Sequence, residues 1–322
     1  MRLRLVPAET NWDFFSRTTL TFGFSALLMI LSIVAFFAIG LNFGIDFKGG
    51  TTIRTESTQA VDVGAYRDAL VPLALGDVSI TEVFDVNFRE DQHVSQIRIE
   101  AQEGQEAITE DTMKIIAAAL SAVDPAITFP SVESVGPKVS GELVMTAIYS
   151  VLVAIGAVLI YIWLRFEWQF SVGAVAALVH DIVLTIGVFA VMQIKFDLAI
   201  IAALLTIVGY SLNDTVVVFD RVRENLRRYK KMALKEVLNL SINETLSRTV
   251  MTSVTTLIAL VSLYVLGGDV IRGFVFAMIW GVIVGTYSSI FVASAILLRL
   301  GVKRDWTKPD ANAGNQFANV DA

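Results

Sequence analysis

Six long apolar runs dominate this 322-residue chain and limit what it can fold into. Each run approaches the roughly 20 residues that a helix needs to cross the hydrocarbon core of a bilayer. Only 17% of the residues are charged, whereas soluble domains carry about 25%. The sequence therefore predicts an α-helical polytopic membrane protein with six transmembrane helices. The runs are Thr19–Leu41, Leu143–Leu164, Phe170–Ile194, Leu198–Phe219, Val250–Leu266 and Gly273–Leu298.

The distribution of positive charge predicts that both termini lie on the inner side. Segments assigned inside carry 16 of the 25 Lys and Arg residues, and the two short outer turns contain only Lys195 and Arg272. This asymmetry follows the positive-inside rule. The predicted segments are 1–43 for the inner N-terminus and helix 1, 44–138 for an outer domain, 139–300 for helices 2–6 with a basic inner loop at 220–248, and 301–322 for an inner tail.

The basic inner loop also contains local helix signals. Apolar positions from Leu234 to Ile242 at helical spacing, after a Lys/Arg cluster, predict a separate interfacial helix on an anionic leaflet. Ser241 and Glu244 have the spacing of a capping box. That pattern predicts that the fifth span begins near Ile242.

Residues 44–138 have the composition of a water-soluble domain, with 16 Asp plus Glu and 7 Lys plus Arg. Alternating and helical apolar spacings predict the order β-α-β-β-α-β, that of a small α+β ferredoxin-like domain. His93 lies in a polar turn without a partner at ligand spacing, so we interpret it as a loop residue and not a metal ligand. The predicted elements are, in order, 51–55, 61–75, 78–84, 94–99, 109–123 and 126–135.

Two glycine-containing junctions connect this domain to the membrane helices. In the first, Asp46 and Lys48 precede Gly49 and Gly50, and paired glycines permit unusual backbone angles or close chain approach. A phosphate-binding loop is the alternative, but no strand–loop–helix pattern follows it.

The second junction contains Gly136, Pro137, Ser140 and Gly141. Proline fixes one torsion, and Ser140 is placed to cap the second helix. A hinge and a rigid start of the helix remain equally open interpretations.

Charged side chains within the apolar runs indicate a functional site, because they are costly in hydrocarbon without a partner or a watery path. In the fourth run, Ser211, Asp214 and Thr215 share one helix face. In the fifth, Arg248 lies on a stripe with Thr252 at a depth similar to that of Asp214. This placement predicts an Asp–Arg pair between adjacent helices.

The third and sixth runs hold further polar or small residues. Asp181 is either another relay carboxylate or a group hydrogen-bonded to helix neighbours, and we expect His180 to be a packed neutral histidine. Gly281 and Gly285 form a Gly-x-x-x-Gly face that permits close approach to a helix of this chain or of another.

Proton transfer is the chemistry that suits these intramembrane groups. Burial favours the neutral form of a carboxyl group and a nearby arginine favours the ionised form, so the two effects oppose each other at Asp214. A charge that crosses the membrane potential supplies about 2.3 kcal/mol per 100 mV. The alternative is a structural ion pair, with Arg248 extending along the helix.

Enzymatic chemistry finds no support in the sequence. The chain has no cysteine, which excludes disulfides, thiolate catalysis and cysteine-ligated metals. It has no H-E-x-x-H or G-x-G-D motif either. We therefore expect no enzyme activity, no cofactor, no metal site and no nucleic-acid partner.

Taken together, these motifs resemble the SecF branch of the SecD/SecF family of bacterial protein-export membrane proteins. The family's junction motifs are similar to D-F-K-G-G-T at 46–51 and G-P-K-V-S-G-E-L at 136–143. Its fourth-helix signature is similar to residues 209–225, and Arg248-Thr249, Gly267-Gly268 and Ser288-Ser289 also fit.

The resemblance implies a place in the resistance–nodulation–division superfamily, a SecD partner supplying six matching helices, and association with the SecYEG channel and with YajC. It implies assistance, driven by the proton-motive force, to the translocation of unfolded polypeptides across the bacterial inner membrane. The outer domain would be periplasmic and both termini cytoplasmic. Motif matching places Asp214 and Arg248 on the proton path, with Asp181, His180, Asn213 and Thr252 as further candidates.

Two other functions remain open at this stage. One is a half-transporter exporting small molecules or lipids, although such exporters usually carry a much larger outer region. The other is a passive assembly subunit that stabilises a partner without carrying protons.

Overall fold

The computed structural model describes residues 7, 10–85, 88–101 and 108–302, and the predicted inner tail lies almost entirely outside this part of the chain. Within it, six helices are long and apolar enough to cross a membrane, which confirms the predicted number of spans. The helices are α1 (Thr18–Ala38), α2 (Ile45–Lys48), α3 (Val63–Leu70), α4 (Glu110–Val123), α5 (Pro137–Arg165), α6 (Trp168–Met192), α7 (Leu198–Arg228), α8 (Leu234–Leu266), α9 (Asp269–Ser288) and α10 (Ser294–Leu300). A π-helical segment, Ser289–Ala293, joins the last two into one span.

Two predictions about the basic inner segment are wrong, because α7 and α8 extend far beyond their apolar runs. Helix α7 continues to Arg228, and α8 begins at Leu234 and runs for 33 residues without a break. There is thus no separate interfacial helix from Leu234 to Ile242. Ser241 does not cap a helix either. Its hydroxyl lies within α8 and accepts a hydrogen bond from Asn225 of α7.

The soluble part contains a four-stranded antiparallel sheet in the order β2-β3-β1-β4. Its strands are β1 (Gly50–Ser57), β2 (Val78–Val83), β3 (His93–Glu100) and β4 (Thr128–Val135). The predicted order of elements is therefore confirmed. Alternate strand residues Ile53, Ile97 and Ile99 are almost fully buried with Ile116 and Leu120 of α4, as period-two strands packed against a helix require.

A buried hydrogen bond closes this core. Tyr66 of α3 donates its hydroxyl to the carboxylate of Asp124, just after α4, at 2.8 Å. Both side chains are at most 4% exposed. Burial, reinforced by the hydrogen bond to this carboxylate, raises the pKa of Tyr66 above its usual range. The phenol therefore stays neutral and able to donate at all physiological pH values.

We expect Tyr66→Phe to destabilise the soluble domain by about 1–2 kcal/mol, because it leaves a buried carboxylate oxygen without this donor. Hydrogen exchange measured by mass spectrometry on peptides from α3 and β1 checks this. Amide hydrogens that exchange only when the whole domain unfolds should exchange about tenfold faster for each 1.4 kcal/mol by which the free energy of unfolding falls. Tyr149→Phe, at an exposed tyrosine of α5, is the matched control and should leave these rates unchanged.

At the first junction, the two glycines adopt backbone angles that other residues rarely adopt. Gly49 and Gly50 have φ of +73° and +122°. A Cβ added to Gly50 would lie 2.3 Å from the carbonyl oxygen of Ile99 on the neighbouring strand. Both parts of the prediction, unusual angles and close chain approach, are confirmed. Beside them, Lys48 pairs with Glu100 at 3.0 Å.

The second junction begins α5 directly. Gly136 is the N-cap residue and Pro137 the first helical residue, the position where a missing N–H costs least. Ser140 is not the cap, so that prediction is wrong: its hydroxyl donates to the carbonyl of Ile45 at 3.3 Å. The helix continues unbroken through Gly141, which favours a rigid start over a hinge.

The first junction is also hydrogen-bonded to the turn between α6 and α7. Gly44 donates its N–H to Phe196, and Phe196 donates to Asn42, both at 2.8 Å. The carboxylate of Asp46 accepts the N–H of Leu198, the first residue of α7, at 3.1 Å. The soluble domain is therefore connected to the N-terminal end of α7 as well as to α1 and α5.

Candidate functional site

Three helices, α6, α7 and α9, form the packed centre of the bundle. A Cβ at Gly281 of α9 would lie 2.3 Å from Ile207 of α7, and one at Gly285 would lie 3.1 Å from Ser211. The Gly-x-x-x-Gly face therefore packs on α7 of this chain, which answers the question that the sequence left open. Small residues at these positions bring polar side chains of α9 within reach of α6 and α7.

Asp181 of α6 is the meeting point of these helices. Its Oδ2 atom accepts hydrogen bonds from Ser211 of α7 at 2.6 Å and from Ser288 of α9 at 2.8 Å. Its Oδ1 atom lies 3.0 Å from Nδ1 of His180. All four side chains are at most 1% exposed. Of the two interpretations offered by the sequence, hydrogen bonding to neighbours describes the observed contacts.

His180 extends this network toward α1. Its ring stacks on Tyr287, with centroids 6.2 Å apart. The Tyr287 hydroxyl donates to the carbonyl of Thr21 and lies 3.1 Å from the Ser25 hydroxyl, both in α1. The Nε2 atom of His180 is buried and has no hydrogen-bond partner among the described residues. His180 is thus packed, as predicted, with one free nitrogen.

Asp214 lies one turn along α7 from Ser211 and has a different environment. Its side chain is 3% exposed, and Oδ2 has no hydrogen-bond partner in the described part of the chain. Its neighbour Thr215 does not help, because that hydroxyl donates to the backbone carbonyl of Ser211 at 3.1 Å. Burial of a carboxylate oxygen without a donor is unfavourable, so Asp214 is an unsatisfied acidic group within the described part of the bundle.

Arg248 acts on Asp214 through space and not by direct contact. The two residues attract each other electrostatically, but no described acid, Asp214 included, lies within 4.0 Å of Arg248 as an ion pair. The predicted direct Asp–Arg pair is therefore wrong for this structure. The side chain of Arg248 is exposed on the surface of the helix bundle, whereas that of Asp214 is buried inside it.

The register of α7 against α8 explains this separation. Three cross-links fix the register: Arg221 with Glu244 at 2.7 Å, Asn225 with Ser241 at 3.1 Å, and Tyr210 with Thr256 at 3.4 Å. The two helices run in opposite directions, so this register places Asp214 level with residue 252. Arg248 lies about one helical turn nearer the basic end of the bundle. The sequence estimate of equal depth took Asp220 and Ile242 as level with each other, whereas the observed register places Asp220 level with residue 246.

The other predicted candidates form no hydrogen bond with this carboxylate in the described part of the chain. Asn213 is exposed. The Thr252 hydroxyl donates to carbonyls of its own helix, at Arg248 and Thr249. The Thr249 hydroxyl is itself buried and has no hydrogen-bond partner among the residues that the structure describes. Within this chain, the structure therefore brings Asp181, His180 and Ser211 together and leaves Asp214 and Arg248 as two incomplete partners.

Ser288 and Tyr287 are the residues that sequence reasoning missed. The sequence identifies Ser288 only as part of Ser288-Ser289, which fits the family resemblance, and predicts no contact between Ser288 and Asp181. The signal was its position three residues after Gly285, which places it on the helix face that packs closest to α7.

No group of three metal-ligating side chains occurs among the described residues.

Comparison with known proteins assigns the family. A family model described as "Protein export membrane protein SecD/SecF, C-terminal" matches residues 115–303, and one described as "SecD/SecF GG Motif" matches residues 34–61. A protein named protein translocase subunit SecF from Cereibacter sphaeroides is 64% identical over 321 residues, covering 100% of this chain and 99% of the relative. Its counterpart in Rhodobacter capsulatus is 62% identical, covering 96% and 95%.

A solved structure agrees with the sequence comparison. The crystal structure of SecDF, a translocon-associated membrane protein from Thermus thermophilus, is 35% identical with a TM-score of 0.81, covering 93% of this chain. This chain spans 40% of that longer chain. A second SecDF structure, in a super-membrane-facing form, has the same identity and a TM-score of 0.65. The chain therefore belongs to the SecD/SecF family of protein-export membrane proteins.

Proposed function

We propose that this chain, together with SecD, uses the proton-motive force to assist the translocation of unfolded polypeptides across the bacterial inner membrane. The observation that carries the proposal is Asp214, a buried intramembrane carboxylate with an unpartnered oxygen, electrostatically coupled to Arg248. Ionisable groups inside a membrane typically mark ion and proton pathways. Protonation of Asp214 removes the charge that attracts Arg248 and so changes the energetic balance between α7 and α8.

A SecD partner would complete this site. In the apolar 18-residue stretch of α1, α5 and α8, only 11%, 6% and 11% of the residues are buried inside this chain. In the corresponding stretch of the last span, 67% are buried. Arg248 is on one of these outward surfaces. A second set of six helices packed there would enclose Arg248. This chain spans only 40% of the SecDF chain, so that longer chain has room for such a second set.

The proposed topology places both termini in the cytoplasm and residues 44–138 in the periplasm. The basic residues of α7 and α8 support it under the positive-inside rule. The soluble domain is ferredoxin-like in this proposal, supported by its β-α-β-β-α-β order and the sheet order β2-β3-β1-β4. In this proposal, residues 1–43 are the cytoplasmic N-terminus and helix 1, residues 139–300 carry the other five spans, and residues 301–322 are a cytoplasmic tail. The predicted basic loop at 220–248 is reduced to residues 229–233, because α7 and α8 occupy the rest.

Association with SecYEG and YajC is part of the same proposal. Its support is that relatives are named translocase subunits and that one structural neighbour is described as translocon-associated. The chain acts as a transport subunit without enzyme activity or cofactor, its work being a change in helix packing that follows proton binding.

A vesicle export assay tests the proposal. Inverted inner-membrane vesicles are prepared from cells depleted of this chain and from depleted cells in which the chain is expressed again. ATP-driven export of a secretory polypeptide into both kinds of vesicle is measured with and without a proton ionophore. We expect the restored export to disappear when the ionophore is added. Export restored equally with and without the proton gradient would instead support the passive assembly subunit.

A further inference from the structure

A cavity of about 510 Å³ lies at the arginine-rich end of the bundle, away from the proton-path residues. The turn between α5 and α6 and the last turns of α7 surround it. Four of its six lining residues are arginines, and the other two are acidic. The lining residues are Arg165, Asp220, Arg223, Glu224, Arg227 and Arg228.

Two of these arginines are held together on one aromatic ring. The guanidinium carbons of Arg165 and Arg223 lie 5.1 Å and 5.9 Å from the ring centre of Phe166, which is 6% exposed. Arg223 also donates a hydrogen bond to the backbone carbonyl of Arg165 at 3.2 Å. Cation–π contact with Phe166 stabilises the positive charge of each arginine. Each arginine also lies near the C-terminal end of its helix, where the helix dipole favours a positive charge. Their proximity concentrates positive charge on one side of the cavity.

The acidic lining residues do not neutralise the whole cavity. Asp220 pairs with Arg165 at 3.2 Å, and Glu224 pairs with Arg221, outside the lining, at 2.6 Å. Neither Arg223 nor Arg228 forms an ion pair within 4.0 Å in the described part of the chain. Glu167 attracts Arg223 and Glu244 attracts Arg228 electrostatically, and neither acid reaches that distance from its arginine. Two guanidinium groups thus retain capacity for an anion.

The apolar surroundings indicate where that anion comes from. Trp163, Leu164 and Trp168 lie within three residues of the lining residue Arg165 and are 60%, 79% and 53% exposed. Tryptophans at the ends of spanning helices mark the level of lipid headgroups. A molecule with a phosphate in the cavity and apolar chains along these side chains matches both surfaces, and a free phosphate matches only the first.

We propose that this arginine cavity binds the headgroup phosphate of an anionic phospholipid, with Arg223 and Arg228 as the phosphate-binding residues. Arginine suits this role because its planar guanidinium donates paired hydrogen bonds to phosphate oxygens and stays charged at every physiological pH. Basic pockets between membrane helices are known to bind anionic headgroups. The proposal does not depend on proton coupling.

Native mass spectrometry of the full-length protein tests it, with equal amounts of phosphatidylglycerol and phosphatidylcholine added. We expect about thirtyfold more retained phosphatidylglycerol than phosphatidylcholine, as two basic side chains near a headgroup provide. The double variant Arg223→Gln, Arg228→Gln should reduce this preference to near one. The control Lys230→Gln, Lys231→Gln removes the same charge from the same end, outside the cavity lining, and should keep it.

Two further arms separate the sources of phosphate and guard against misfolding. Millimolar glycerol phosphate should not displace the bound lipid, and displacement would overturn the lipid assignment in favour of a small-anion site. In the unmutated protein, brominated phosphatidylglycerol should quench tryptophan fluorescence more than brominated phosphatidylcholine, and Trp163→Phe, Trp168→Phe should remove the difference. Equal quenching by the two lipids, or equal loss of preference in the lysine control, would overturn the proposal.

Discussion

Replacement of Asp214 by Asn is expected to abolish proton-driven export while leaving the protein folded and assembled. Asparagine has nearly the same shape but cannot exchange a proton, so the proton-dependent part of export should fall at least about tenfold, toward the level of depleted vesicles. The bundle should tolerate the change, because Asp214 forms no ion pair with any described residue that the substitution would break. Export into energised vesicles, with and without an ionophore, gives the measurement.

Asp220→Asn is the matched control on the same helix. It makes the same chemical change at an exposed carboxylate whose partner is Arg165 at 3.2 Å. We expect normal proton-driven export from this variant. Full activity of Asp214→Asn would exclude the carboxylate as a proton carrier, and loss of its co-purification with SecD would indicate a structural role instead.

Gly50→Val is expected to prevent stable folding of the soluble domain. Gly50 begins the central part of the sheet, paired with Glu100 on one side and Val135 on the other. A side chain there would meet a backbone carbonyl oxygen at 2.3 Å, at a φ of +122° that β-branched residues do not adopt. The backbone has to move or the strand has to separate. We expect the free energy of unfolding of the soluble domain to fall by about 3 kcal/mol or more.

Gly141→Ala provides the contrast within the other junction. It lies inside α5, where a Cβ would have open space for 4 Å around it, and its φ is not positive. Alanine there should be neutral or stabilise by up to about 1 kcal/mol. Limited proteolysis of the full-length protein in membranes separates the two cases. Gly50→Val should expose cleavage sites between residues 50 and 135, and a Gly50→Val protein as resistant as Gly141→Ala would contradict this account.

The coarse architecture was predictable because a bilayer forces every spanning backbone into long apolar helices. Those runs fixed the number of spans, and short periodic segments indicated the order of elements in the soluble domain. Helix ends were less predictable. Ser241 and Glu244 have a capping pattern, yet their side chains contact Asn225 and Arg221 of α7. A local pattern does not reveal that a distant helix has taken the same polar groups.

The candidate site was predictable as a set of unusual residues but not as a geometry. Asp181, Asp214 and Arg248 are exceptional in any apolar sequence. Their different environments depend on helix register and rotation, which are set by contacts such as Gly285 against Ser211. The same carboxylate chemistry therefore gives a saturated hydrogen-bond acceptor at Asp181 and an unsatisfied one at Asp214.

The hydrogen bonds between the first junction and the start of α7 have a mechanical consequence. Asp214 and Leu198 are on one continuous helix, and Leu198 is bonded to Asp46, four residues before β1. A sliding or rotation of α7 that follows proton binding must therefore either pull the base of the sheet along or break the bonds at Gly44, Phe196 and Asp46. While these hydrogen bonds hold, any axial movement of the helix that carries Asp214 is transmitted to the base of the soluble domain's sheet.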